Sequence, residues 1–193
     1  MGVKVSDIDR RYEAQLDGFN EITADRTIFD LGSPSSKLRQ AGISDKPIRL
    51  YGSKLLKKMR LHGFGKKEVR GLSKSLRNPI AVFNTHGKAD SFAVLTELKT
   101  KDGNLLIALE LGKGKTDADL IMVSSIYGKN ENNVIRWING NKMRWVDKKK
   151  ALKYLHLDAP IAPASNTQEL YDAANIINNF RNKEISEKIL VVG

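Results

Sequence analysis

Cysteine is absent from this chain of 193 residues. That excludes disulfides, a thiol nucleophile and thiolate metal sites. Histidine is nearly absent: His62, His86 and His156 stand far apart, a distribution unsuited to zinc. No apolar run approaches the roughly 18 residues that span a bilayer, and Met1–Asp7 lacks the apolar core of a signal peptide. Lys113-Gly-Lys115 has glycine and charge without the spacing of a phosphate loop, and reads as a flexible connector. The expectation is a cytoplasmic protein with no membrane segment, no cofactor and no resident metal. Any catalysis would be metal-independent acid–base chemistry, or would borrow a metal from solvent.

Positive charge is what the chain has in excess, a formal net +11. The stretch from Lys46 to Arg77 carries eleven lysines and arginines and one acid, Glu68, a net +10. Charge so concentrated is a footprint for a polyanion, nucleic acid foremost. Lys57, Lys58, Arg60, Lys66 and Lys67 are the candidates for contacts to RNA there, with Arg136 further on. An acidic partner protein would suit the same face. Hydrophobic residues at 40% are enough to fill the core of one ordinary domain.

Ser6 to about Phe19 reads as a polar helix with a narrow apolar face of Ile8, Tyr12 and Leu16, peripheral or in contact with another part of a larger protein. Short strands are predicted at 27–31 and 47–51, around a short helix over 36–41. A helix with Ser53 as N-cap runs to His62 and stops at Gly63; a second runs from about Lys66 to Leu76. Strands follow at 80–83, 92–98, 105–111 and 119–127, the last ended by Gly128. Asp102-Gly103 is a hairpin turn, and His86–Asp90 a longer connector. A helix over 131–138, a strand over 142–146 and a short helix capped by Asp147 complete this part. Pro160 and Pro163 mark a linker. Ser165 and Gln168 then suit a capping box for a last helix with Leu170, Ala174, Ile177 and Phe180 on one face. The order argues α+β, an antiparallel sheet with helices on one face.

Chemistry has two candidate centres. His62 sits at the edge of its helix's inner face, three residues after Met59. It is read either as an acid–base residue or as a helix-end histidine favoured by the macrodipole. Ser125 and Tyr127 share one strand face, and a turn at Gly128 would present Lys129 beside them. A hydroxyl, a phenol and an ammonium can bind a phosphate and stabilise its transition state; the same three are also an ordinary solvent face. Trp137 would stack on a base or belong to the core, and Glu110 would be an acid–base partner or a solvent-exposed strand residue. His86 and His156 read as surface residues.

An ordered set of short motifs runs through Leu31-Gly-Ser-Pro-Ser, Ala41-Gly-Ile, Lys46-Pro-Ile, His62-Gly, Asn78-Pro-Ile and Val94-Leu-Thr-Glu. It continues with Asp102-Gly-Asn, Ala108-Leu-Glu-Leu, Ser125-Ile-Tyr-Gly-Lys, Trp137-Ile-Asn and Trp145-Val-Asp-Lys. In order and spacing this set resembles the phage MuF C-terminal domain, in the barnase/EndoU/colicin/RelE-like (BECR) group of nucleases. The resemblance implies helices packed on a curved antiparallel sheet of about four to five strands; the C-terminal helix read from the sequence falls outside it. It divides the chain into an N-terminal helical extension over 1–30, a nuclease domain over 31–157, and a linker with the last helix over 158–193. It also implies a metal-independent ribonuclease, a toxin or effector module of a phage or mobile element, with an immunity or antitoxin partner. The positions that carry over are His62, Ser125, Tyr127 and Lys129. The competing reading is a non-catalytic module that binds nucleic acid or an acidic partner.

Overall fold

The computed structural model describes residues 4–85, 90–114, 119–157 and 175–182. His86, Lys115, the 158–165 linker, Gln168, Leu170 and Ala174 lie outside them. The first half alternates short helices and strands: α1 (Val5–Gly18), β1 (Ile28–Gly32), α2 (Ser36–Gln40), β2 (Ile48–Tyr51) and α3 (Gly52–His62). Then come α4 (Lys66–Val69), α5 (Leu72–Arg77) and a meander of β3 (Ala81–Asn84), β4 (Ser91–Thr100), β5 (Gly103–Lys113) and β6 (Asp119–Lys129). The chain continues through α6 (Glu131–Asn139), β7 (Met143–Val146) and α7 (Lys148–Tyr154), and 175–182 is helical.

The fold is α+β, but the sheet has seven strands rather than four or five, in the order β1-β2-β6-β5-β4-β3-β7. It is mixed: β2 runs parallel to β6, through Ile48↔Ile121 and Arg49↔Met122, and the other pairs are antiparallel. The parallel pairing of β2 with β6 could not be foreseen locally, because it joins segments some seventy residues apart.

Helices cover both faces, not one. Side chains of a strand alternate between faces, and Leu105, Ile107 and Leu109 of β5 enter one core while Leu106 enters the other. The first core takes Leu55 of α3, Val69 of α4, and Leu72 and Leu76 of α5. The second packs Phe83, Ala93 and Leu95 against Val134 and Ile138 of α6, Ala151 of α7, and Ile176 and Phe180. The helix expected over 66–76 is broken. Gly71 takes φ +76 with nothing within 4 Å of a would-be Cβ, so left-handed backbone and not crowding selects glycine. Ser53 is not a cap either; α3 begins at Gly52, directly off β2.

Helix α1 is not peripheral. Tyr12 and Leu16 are fully buried, and the Tyr12 hydroxyl donates to the Val69 carbonyl at 2.8 Å. Its acids meet the basic stretch: Arg77 pairs with Asp9, Arg70 with Glu13 at 3.0 Å and Asp17 at 2.7 Å. Just beyond α1, Glu21 pairs with Arg60 and Asp30 with Arg49. Much of the concentrated charge is therefore neutralised inside the molecule. Arg77 matters most to stability, since its side chain is only 11% exposed and also donates to Ser73 Oγ at 3.0 Å. Asp9→Asn is expected to cost about 1–3 kcal/mol by leaving that guanidinium short of its counter-charge. Asp7→Asn removes only the partner of the 80% exposed Arg10, and should change urea unfolding by about 0.5 kcal/mol or less. Equal effects would show that the Arg77–Asp9 pair carries no special weight.

Candidate functional site

The site is assembled where β2 stops pairing with β6. Because β2 passes straight into α3, the second half of β6 has no strand on that side among the described residues, and α3 packs along it instead. A helix over an open edge is one way a sheet protects unpaired backbone groups. α3 ends in a left-handed Gly63 at φ +64, with the Gly63 and Phe64 amides both donating to the Met59 carbonyl. His62 is thereby the last residue of α3 and half-buried. Its ring lies 5.8 Å from that of Tyr127, tilted by 38°.

A bulge sets which side chains β6 presents. Ala108 pairs with Ser125 and Leu109 with Val123, leaving Ser124 as the extra residue. Past it, Ile126 points into the first core, and Ser125, Tyr127 and Lys129 share the opposite face. The spacing argument for Ser125 and Tyr127 therefore holds in the register, but Gly128 does not turn the chain. The strand continues through Lys129, and Gly128 is needed because a Cβ there would lie 2.1 Å from Thr100 Oγ1. The β4–β5 turn packs directly on β6 at this point.

Lys129 is held between two rings, its Nζ 4.6 Å from the Trp137 centroid and 5.8 Å from that of Tyr127. Trp137 meets Phe83 edge-on at 5.4 Å, so it is a half-buried wall and not a free platform. Burial, aided by the charge of Lys142, lowers the Lys129 ammonium below its ordinary pKa. Burial raises the Tyr127 phenol, which keeps it protonated. Lys101 arrives from the β4–β5 turn; its Nζ would lie 3.1 Å from a Cβ on Gly63, the residue after His62.

Four expected residues, His62, Ser125, Tyr127 and Lys129, thus fall on one region of β6 and the end of α3. The expected RNA contacts do not all join them. Arg60 is tied to Glu21, and Lys66 donates to the Asp17 carbonyl at 3.0 Å. Lys57 and Lys67 are exposed, Lys58 is half-buried, and Arg136 is exposed on α6. A depression of about 730 Å³ is lined by Glu21, Leu56, Lys57, Arg60 and Leu61, and by none of the four. Lys101 and Lys142 were missed. One sits in a turn and the other before an edge strand, and nothing in their local sequence points to the end of β6. Glu110, half-buried, sits on β5 opposite Met122. Among the described residues no group of three or more His, Asp or Glu is placed to hold a metal ion, and no helix is long and apolar enough to cross a membrane.

A family model described as the phage MuF C-terminal domain matches residues 54–153. This chain belongs to that family. The matched part of the MuF C-terminal domain begins in α3, ends in α7, and contains all four residues of the site as well as Lys101, Trp137 and Lys142. No curated protein and no solved structure matches the chain.

Proposed function

We propose that this MuF C-terminal domain is a metal-independent endoribonuclease of the BECR kind, acting as a toxin or effector module of a phage or mobile element in the cytoplasm. The contact of the His62 ring with Tyr127, with Lys129 alongside, is the observation that carries the reading. A phosphate bound beside that contact would have an imidazole, a protonated phenol and an ammonium as neighbours.

In this reading His62 takes the proton of the RNA 2′-hydroxyl, and the new O2′–P bond forms as the P–O5′ bond breaks. Tyr127, held protonated by burial, gives its proton to the departing 5′-oxygen. Lys129, with Lys142 near it and Lys101 beside Gly63, stabilises charge on the phosphorane-like transition state, and Ser125 donates to a phosphate oxygen. Residues 31–157 form the catalytic unit, and residues 1–30 supply acids that pair with its arginines. A toxin of this kind requires an immunity or antitoxin protein.

A non-catalytic binding module is the second reading. It draws on His62 having no hydrogen-bond partner among the described residues, so that no hydrogen bond there orients its ring. Incubating the purified chain with total RNA in EDTA separates the two. Cleavage lost in both His62→Ala and Tyr127→Phe supports the nuclease; intact RNA with salt-sensitive binding supports the module.

Either reading makes the same demand on the surface. Arg70 and Arg77 are held by α1, whereas Lys57 is exposed with no ion pair among the described residues. Lys57→Ala should reduce the slope of log affinity for RNA against log salt by about 1, and Arg70→Ala should leave it unchanged. The reverse pattern would place the RNA on the α1 side.

A further inference from the structure

A second cleft, of about 500 Å³, opens between β4–β5 and α7, and includes Glu131 at the start of α6. Its walls are charged in both senses. Glu97 is neutralised by Lys150 at 2.8 Å. Among the described residues Lys99, Lys153, His156 and Glu131 have neither an ion pair nor a hydrogen bond through their side chains. Tyr154 lines the same cleft, and its hydroxyl is buried with no hydrogen-bond partner among the described residues. Buried polar groups are rarely left so, and each such group asks for an explanation.

His156 adds a second anomaly. The Leu157 amide donates to the Leu152 carbonyl at 2.8 Å and the His156 amide to the Lys153 carbonyl at 3.2 Å, so α7 ends in a Schellman motif. His156 holds the left-handed position at φ +55, where glycine is the favoured residue. The chain accepts a conformational cost there, and the imidazole it keeps lies on the cleft.

We infer that this cleft is a ribonucleotide-binding site, separate from the site at His62. Two lysines and a histidine suit a phosphate group. A bare phosphate would be opposed by Glu131, so the ligand must also bring donors to that carboxylate, and the ribose hydroxyls are such donors. Tyr154, raised by burial and the charge of Glu131 to about 12, remains a donor at neutral pH for an acceptor oxygen of the ligand. The volume lies within the range of small-ligand sites. Lys99 and Lys129 both face Asn104 across neighbouring strands, two strand spacings or about 10 Å apart. The ribonucleotide is therefore either free or the neighbouring unit of a strand bound at His62. The inference stands whether or not RNA is cleaved.

The test is calorimetric titration of the full His62→Ala chain with adenosine 5′-monophosphate, its 2′-deoxy counterpart and inorganic phosphate. The expected result is binding of the ribonucleotide, at least tenfold weaker binding of the deoxy form, and loss of that difference in Glu131→Gln. Lys153→Ala and Tyr154→Phe should each weaken binding at least fivefold. His156→Gly should raise the melting temperature yet weaken binding, which guards against misfolding as the cause of a loss. A short RNA that displaces the nucleotide assigns the site to a strand, and one that does not assigns it to the free ligand. Equal binding of phosphate and both nucleotides, or unchanged binding in the Lys153, Tyr154 and His156 variants, would overturn the inference.

Discussion

Replacing His62 by alanine is expected to reduce RNA cleavage by about 10²- to 10⁴-fold, the usual worth of a positioned acid or base. The fold should survive, since His62 ends its helix half-exposed and leaves no cavity in either core. Substrate affinity should hardly move, because the positive charge around the site comes from Lys101, Lys129 and Lys142. Initial rates in EDTA against RNA concentration would therefore show a fall in kcat with little change in KM. The alkaline side of the pH profile belongs to Lys129. Its lowered pKa means that the ammonium is lost earlier than an ordinary lysine's as pH rises, while the raised Tyr127 phenol still keeps its proton. Lys129→Arg, which cannot deprotonate, should carry the falling limb to higher pH. A His62→Ala protein that cleaves at the wild-type rate would remove His62 from the mechanism.

Gly103→Ala, in the β4–β5 turn, should destabilise the protein by about 2–6 kcal/mol. Gly103 sits at φ +121, outside the range of L side chains, and strain of that kind costs about 1–3 kcal/mol. Its Cβ would also lie 2.3 Å from the Lys129 carbonyl oxygen, a backbone atom that cannot swing away. Relieving such an overlap costs about 1–3 kcal/mol more. The backbone that would have to yield is that of Lys129, so activity should fall along with stability. Gly71→Ala is the control. It has positive φ but open space, and should cost only about 1–2 kcal/mol with activity intact. Urea unfolding of both proteins beside the wild type measures the difference; equal losses would mean that crowding against β6 is unimportant.

Local signals served well where a few neighbouring residues decide the outcome. Gly63 ends α3, and Asp147 caps α7 through the Lys150 amide. The Asp102-Gly103 turn joins β4 to β5, and alternation places Ser125 and Tyr127 on one face. Gly128 was misread because a close contact and a turn both call for glycine, and only the neighbour, Thr100, tells them apart. α1 looked peripheral because its apolar stripe is narrow. Two fully buried side chains and a row of acids facing arginines are enough to seat it.

The amino-acid sequence by itself determined most of the described helix and strand segments, though not the break at Gly71, together with the excess of positive charge and the residue types able to handle a phosphate. Each depends on composition or on periodicity over a few residues. Tertiary structure alone decided that β2 docks parallel to β6, that acids near the N-terminus quench the arginines of the basic stretch, and that His62 meets Tyr127. It also brought Lys101 and Lys142 toward that pair and opened the cleft at Tyr154 and His156. Those outcomes join segments tens of residues apart. They arise because burying both faces of one sheet dictates which strands and helices become neighbours.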